Sequence, residues 1–136
     1  MKFEKSKYYN QLKSKKVELS FGTFYFLEKF FINEINEGIH FDILKIQELV
    51  SAIGEHYGDN FKIGHVSNRI NSYSFEPQLW VDFYKEYNFI SGSAIIAYSS
   101  FNSKSVDIEN MFSKNTVKGF HTLDEGIKWM LDFNKI

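Results

Sequence analysis

The sequence contains no cysteine, one proline and a single arginine. The first absence excludes disulfides, thiolate nucleophiles and cysteine-ligated metals. Charge of one sign is also lacking: 16 Lys and Arg face 17 Asp and Glu, a formal net charge of −1. Such a chain projects no global field toward nucleic acid or an anionic membrane, so neither is expected as a partner. No apolar run approaches the roughly 18 residues of a membrane span, and stretches such as Ala94 to Tyr98 are strand-length. The N-terminal lysines are not followed by an apolar core and small residues, so no secretory signal is read there and a cytoplasmic protein is the expectation. The lone arginine, Arg69, stands against fifteen lysines. With the many Asn and Ile, that bias fits a low-GC coding genome, and it leaves Arg69 either with a specific task or as one surface charge among sixteen.

What is present is apolar and aromatic. Hydrophobic residues make up 43% and aromatics 18% of 136 residues, enough to bury the core of one domain. Residues 1–15 read as a basic N-terminal extension, with six lysines and one glutamate up to Lys16, and are expected to be a solvated tail. Residues 16–136 read as a single α/β domain.

Within it, Val17, Leu19 and Phe21 alternate with Glu18 and Ser20 and run on through Gly22 into Thr23 to Phe26, strand chemistry that Phe30 to Asn36 repeats after a turn. The aromatics Phe21, Phe24, Tyr25, Phe26, Phe30 and Phe31 exceed what one sheet face hides. A homodimer contact through residues 21–31 is therefore expected. Asp42 reads as an N-cap before Ile43, Ile46, Leu49, Val50, Ile53 and Tyr57 at helical spacing, closed by Gly58. A strand from Phe61 to Ser67, a helix within Ser74 to Tyr87 holding Pro77 in its first turn, and a near-continuous apolar strand from Phe89 to Tyr98 follow. A short helix capped by Ser103 or Ser105 presents Val106, Ile108, Met111 and Phe112. After a strand from Asn115 to Phe120, Thr122-Leu123-Asp124-Glu125 forms a capping box for a terminal helix. The order ββαβαβαβα predicts an α/β fold with a mixed sheet of about five strands, the later ones parallel.

Motifs for chemistry are sparse. No P-loop, dinucleotide fingerprint or nucleophile elbow occurs, and His40, His56, His65 and His121 are too dispersed for a metal signature, so no metal, cofactor or catalytic set is assigned. His65, Ser67 and Arg69 share a strand face if the strand continues, but nothing signals an orienting third group or an oxyanion hole. Asp107 and Glu109, like Asp124 and Glu125, read as helix-start carboxylates facing the macrodipole. What remains is position. Parallel sheets bind ligands beyond the carboxyl ends of their strands, here Asn68 to Ser74, Ser99 to Lys104 and His121 to Thr122. The first loop is dense in hydrogen-bonding groups, so Asn68, Arg69, Asn71, Ser72, Tyr73 and Ser74 form the candidate site for a ligand or partner. Arg69 there offers a fork for an anionic group; a structural ion pair with a nearby Asp or Glu would use the same residue.

Over residues 16–134 the chain resembles the STAS domain of anti-sigma-factor antagonists, and more narrowly the small bacterial proteins called SpoIIAA-like or STAS/CRAL-TRIO-like. The stretches that carry the resemblance are Glu37 to Phe41, Ser67 to Ser74 before Pro77, Gly92 to Ile96 and Phe120 to Trp129. It implies a STAS-like fold and a regulatory, non-enzymatic module that meets a protein partner or a small anionic ligand. The CRAL-TRIO side implies an apolar, lipid-like ligand, for which 136 residues beside a packed core leave little room. The Asp-x-Ser-Gly motif of the antagonists, with its phosphorylated serine, is absent; Ser72 and Ser74 fall near its place without the flanking residues. An enzyme using Arg69, His65 and Ser67 is the third alternative.

Overall fold

Gly22 divides what reads in the sequence as one strand. A Cβ there would lie 2.9 Å from the Glu34 carbonyl oxygen, so glycine lets the chain lie this close to the strand that carries Glu34 and Ile35. In the computed structural model, which describes residues 1–133 and all their side chains but that of Phe101, β1 (Lys15–Leu19) and β2 (Gly22–Phe26) are joined through Ser20 and Phe21. With β3 (Phe30–Ile35) they form an antiparallel meander. The sheet therefore has six strands rather than about five. Residues 134–136, the end of the expected domain, lie outside the described residues.

From β3 onward the chain alternates. Helix α2 (Ile43–Tyr57) leads to β4 (Ile63–Asn68), α3 (Gln78–Glu86) to β5 (Ile90–Ile96) and α4 (Ser100–Phe112) to β6 (Val117–Phe120), with β3 to β6 parallel. Helix α5 (Leu123–Phe133) closes the fold, while a 3₁₀ turn (Phe3–Lys5) and α1 (Lys7–Gln11) open it. Local chemistry sets the ends. The Asp42 carboxylate accepts from Lys45 N at 3.1 Å, and Gly58 takes φ 89° past the end of α2. Ser99, not Ser103 or Ser105, caps α4 by accepting from Asn102 N at 3.2 Å. Thr122 accepts from Glu125 N at 3.2 Å and donates its hydroxyl to the Glu125 carboxylate at 2.8 Å.

Spatial strand order equals sequence order, β1 to β6. A sheet that never doubles back with crossovers of one hand must place every connecting helix on one face. Helices α2 and α3 accordingly pack on one side, against Phe24, Phe26, Phe31, Ile35, Ile63 and Phe89, and α4 sits on that side through Val106. The other side carries α5 and the N-terminal segment over Tyr25, Phe30, Ile32, Val66, Ala94 and Ile96.

Two expectations change at this level. The lysine-rich start of the chain is not a solvated tail: Phe3 is fully buried against Tyr25, and Tyr8, Tyr9 and Leu12 pack on the same cluster while the lysines point outward. The aromatics between Phe21 and Phe31 are all buried within the chain, since α2 covers one face of the meander and the N-terminal segment the other. No surplus is left there to motivate a homodimer contact. Helix α4 turns Ile108, Met111 and Phe112 outward; Glu109 is its one buried side chain among those described.

Candidate functional site

Strand pleating sends alternate residues of β3, β4 and β5 to opposite faces, and the polar residues of the sheet interior sort accordingly. On the helix-covered face lie Asn33, His65, Ser67, Ser93 and, just past the end of β4, Arg69. Asn33 pairs in register with Ser67, and His65 with Ser93. Glu34 and Asn68 point to the other face.

Arg69 is 6% exposed and meets Glu109 of α4, itself 0% exposed, through two parallel bonds of 2.7 Å. Its Nε donates to Ser67 Oγ at 3.1 Å, and the rings of Tyr73 and Phe75 lie against the guanidinium. Glu109 also accepts from Trp80 Nε1 at 3.1 Å and from Ser105 Oγ at 2.8 Å, so its lone pairs are filled. Burial alone would lower the Arg69 pKa, but Tyr73 and Glu109 outweigh it and the group is held charged. Glu109 stands in the C-terminal half of α4, where the macrodipole disfavours a carboxylate, so a helix-start role does not explain it. Arg69 does.

Beside this pair, His65 accepts from Ser93 Oγ at Nδ1 (3.0 Å) and donates from Nε2 to Asn33 Oδ1 (3.1 Å). Burial, with Arg69 adding to it, holds the His65 pKa down to about 3, so the imidazole is neutral. The Ser93–His65–Asn33 row has the hydrogen-bond order of a nucleophile, a base and an orienter, but Ser93 is 1% exposed and does not line the neighbouring cavity, which leaves no space for a substrate at its hydroxyl.

That cavity, of about 80 Å³, lies between the sheet and helices α2 and α3. Its walls are Phe31, Ile46, Leu49, Ile53, Leu79 and Phe83 among others, and its polar side is formed by Asn33, His65, Ser67, Arg69, Tyr73 and Glu109. The cavity sits inside the helix-covered layer because strand order never reverses, so no switch-point crevice opens at the carboxyl ends of the strands. The loops at Ser99 to Lys104 and His121 to Thr122 contribute to a surface concavity of about 240 Å³ bounded by α4, with Ser103, Asp107 and His121 on its rim and Ala97 as its buried lining residue.

The six candidate residues from sequence divide between three places. Arg69 and Tyr73 line the cavity, and the two hydroxyls of Ser67 and Tyr73 meet at 3.2 Å. Asn71, Ser72 and Ser74 belong to an extended strap in which residues 72–74 pair with residues 38–41: Gly38 N donates to Ser72 O at 2.8 Å, Ser74 N to Ile39 O at 2.9 Å and Phe41 N to Ser74 O at 2.7 Å. The Asn71 amide donates to Ile35 O, and the Ser74 hydroxyl meets His40 Nδ1 at 2.8 Å. Asn68 lies across the sheet, where its amide donates to the Glu34 carboxylate at 2.7 Å and to Met1 O at 2.8 Å, and its oxygen accepts from Tyr98 OH at 2.8 Å. Phe3 N donates to the same Glu34 oxygen at 2.8 Å. Sequence reasoning missed Asn33, Trp80 and Glu109. The only available signal for Glu109 was a carboxylate too far into its helix for capping.

Among the described residues no group of histidines and acids is placed to hold a metal, and no helix is long and apolar enough to cross a membrane. No family profile matches the sequence, and no curated protein matches it. A solved structure does. The crystal structure of an uncharacterised DUF3478-family protein from Shewanella loihica PV-4, described as having a SpoIIAA-like fold, superposes with a TM-score of 0.55 at 11% identity, over 88% of this chain and 93% of that one. The chain has a SpoIIAA-like fold. Identity this low shows the architecture alone, so the site must be judged on its own geometry.

Proposed function

We propose that this SpoIIAA-like chain is a non-enzymatic ligand-sensing module whose ligand occupies the cavity between the sheet and helices α2 and α3. One observation carries the reading: a pocket with mostly apolar walls and a few convergent polar groups lies between the sheet and these helices. The anionic alternative loses support because the Arg69 fork is engaged by Glu109, so an anion would have to displace a buried, doubly bonded carboxylate. An enzyme is disfavoured because Ser93 of the Ser93–His65–Asn33 row is buried away from the cavity, and the exposed Ser74 hydroxyl that meets His40 Nδ1 lines neither the cavity nor the surface concavity. Titration of the ¹⁵N-labelled protein with a library of small organic fragments tests the proposal. Saturable shifts at Leu49, Ile53, Ser67 and Leu79 are expected; a library that leaves those amides unmoved rejects it. Replacing Leu49 with Phe should fill the void and abolish the shifts.

A second reading has its own observation. Ile108, Met111 and Phe112, at helical spacing i, i+3, i+4, are 48%, 82% and 37% exposed on α4. A protein partner, or a second copy, would dock there rather than at residues 21–31. Light scattering of the protein with and without Met111→Lys tests the self-association arm: an assembly lost in the variant supports it, and a monomer in both excludes it.

A further inference from the structure

The chemistry of the ligand can be read from which polar atoms of the cavity are already engaged. The charges there cancel: Arg69 and Glu109 face each other at 2.7 Å through both nitrogens, and the four bonds accepted by Glu109 leave it no further capacity. His65 has both ring nitrogens occupied, by Ser93 and Asn33. Arg69 spends three of its five N–H donors on Glu109 and Ser67, and two neutral groups are likewise not exhausted. Asn33 uses its carbonyl on His65, while its amide nitrogen has no partner among the described residues. Ser67 and Tyr73 share one hydrogen bond at 3.2 Å, and Ser67 accepts a second from Arg69 Nε. Whichever hydroxyl donates within that pair, the hydrogen of the other is left over. Asn33 and Ser67 are register partners on adjacent strands and share a face, so both donors can reach one atom.

We infer that the ligand is an uncharged, mostly apolar molecule bearing one hydrogen-bond acceptor, a carbonyl or ether oxygen, that is held by Asn33 and the Ser67–Tyr73 pair. This rests on the reading of the cavity as the ligand site. An ion of either sign would be desolvated against a site whose own charges already cancel, with no counter-charge to meet it. A pure hydrocarbon would leave two donors facing it unpaired. Size follows from volume: at roughly 10–15 Å³ per water-sized position, a void of about 80 Å³ takes a molecule of roughly five to eight non-hydrogen atoms.

Four probes of matched size test this on the wild-type protein: cyclohexanone labelled with ¹³C at the carbonyl, methylcyclohexane, cyclohexylammonium and cyclopentanecarboxylate. The expected result is saturable binding of cyclohexanone at Ser67 and Leu49, at least tenfold tighter than either ion. Its bound carbonyl carbon should keep the downfield, hydrogen-bonded position it has in water. A carbonyl resonance that moves upfield to its hydrocarbon-solvent position, or an ion that binds as tightly as the ketone, overturns the inference while the cavity reading stands. If none of the four binds, the cavity reading falls with it. In a Ser67→Ala, Tyr73→Phe double variant, affinity for cyclohexanone should fall at least tenfold with methylcyclohexane unaffected. A folded double variant that binds both probes as before overturns the assignment to this hydroxyl pair.

Discussion

Asn68 and Arg69 are neighbours in sequence, yet each anchors a different buried polar cluster on an opposite side of the sheet. On the side of α2 and α3, Arg69 holds Glu109 and through it α4, a helix with no other buried side chain among those described. On the side of α5, Asn68 and Glu34 hold the backbone of Met1 and Phe3, the start of a segment whose main apolar anchor is Phe3. Both clusters fasten an element that hydrophobic burial alone holds weakly. They differ in charge and in space: the first is a desolvated ion pair beside a cavity of about 80 Å³, the second a carboxylate satisfied by amide donors. A hydrocarbon contact can slide, whereas a forked ion pair fits one geometry. The first cluster can therefore fix α4 in register while leaving room for a ligand next to it.

The sharpest way to break this contrast is Glu109→Gln, which strands the Arg69 charge in the interior. We expect a loss of about 3–5 kcal/mol in urea unfolding, with Arg69→Lys also lowering the midpoint because a single ammonium cannot copy the fork. An unchanged midpoint in both would mean that α4 is held by something else. On the other face Phe3→Ala should cost about 3 kcal/mol. Deleting residues 1–5 without loss would return the N-terminus to the status of a tail.

Acid separates the two faces next. Folded His65 holds its pKa near 3 against an unfolded value of 6.5, so the unfolded chain binds the extra proton and stability falls as pH drops from 6.5 toward 3. At pH 5 this amounts to about 2 kcal/mol relative to pH 8. A His65→Asn variant should show a flatter profile over that window, read by urea midpoints at several pH values. If its slope matches that of the wild type, the imidazole is not buried neutral.

Smaller effects refine the picture. Asn68→Ala removes one donor from Glu34 and one from Met1 O and should cost about 1–3 kcal/mol. Ser72→Ala, on the exposed side of the strap, should change stability by less than about 0.5 kcal/mol. A large effect at Ser72 would show that its side chain has a role the strap geometry does not provide.

Much of the architecture was legible because it rests on local signals. Asp42, Gly58 and Thr122 mark helix ends where side-chain and backbone chemistry demands, and Leu49, Ile63, Ile95 and Ile127 follow periodicities that place all four in the core. Period two also put His65, Ser67 and Arg69 on one face. The need for glycine at position 22 was not legible, because the clash that requires it comes from Glu34 on a strand paired later. The meander's aromatics looked surplus because a sequence counts one face of a strand as covered and does not show that Phe3, far along the chain from Tyr25, covers the other.

The sequence by itself determined the alternation of strands and helices, the parallel run from β3 to β6 and the face on which Arg69 sits, since caps, periodicity and pleating act within a few residues. Only the tertiary structure decided what Arg69 faces. Its partner Glu109 lies forty residues away on a helix whose pattern gives no hint of it, and burial made that pair a fixed fork instead of two surface charges. The cavity is likewise a tertiary product: it is the space left where the side chains of α2 and α3 do not fully meet those of the sheet, a mismatch of shapes that no residue carries alone.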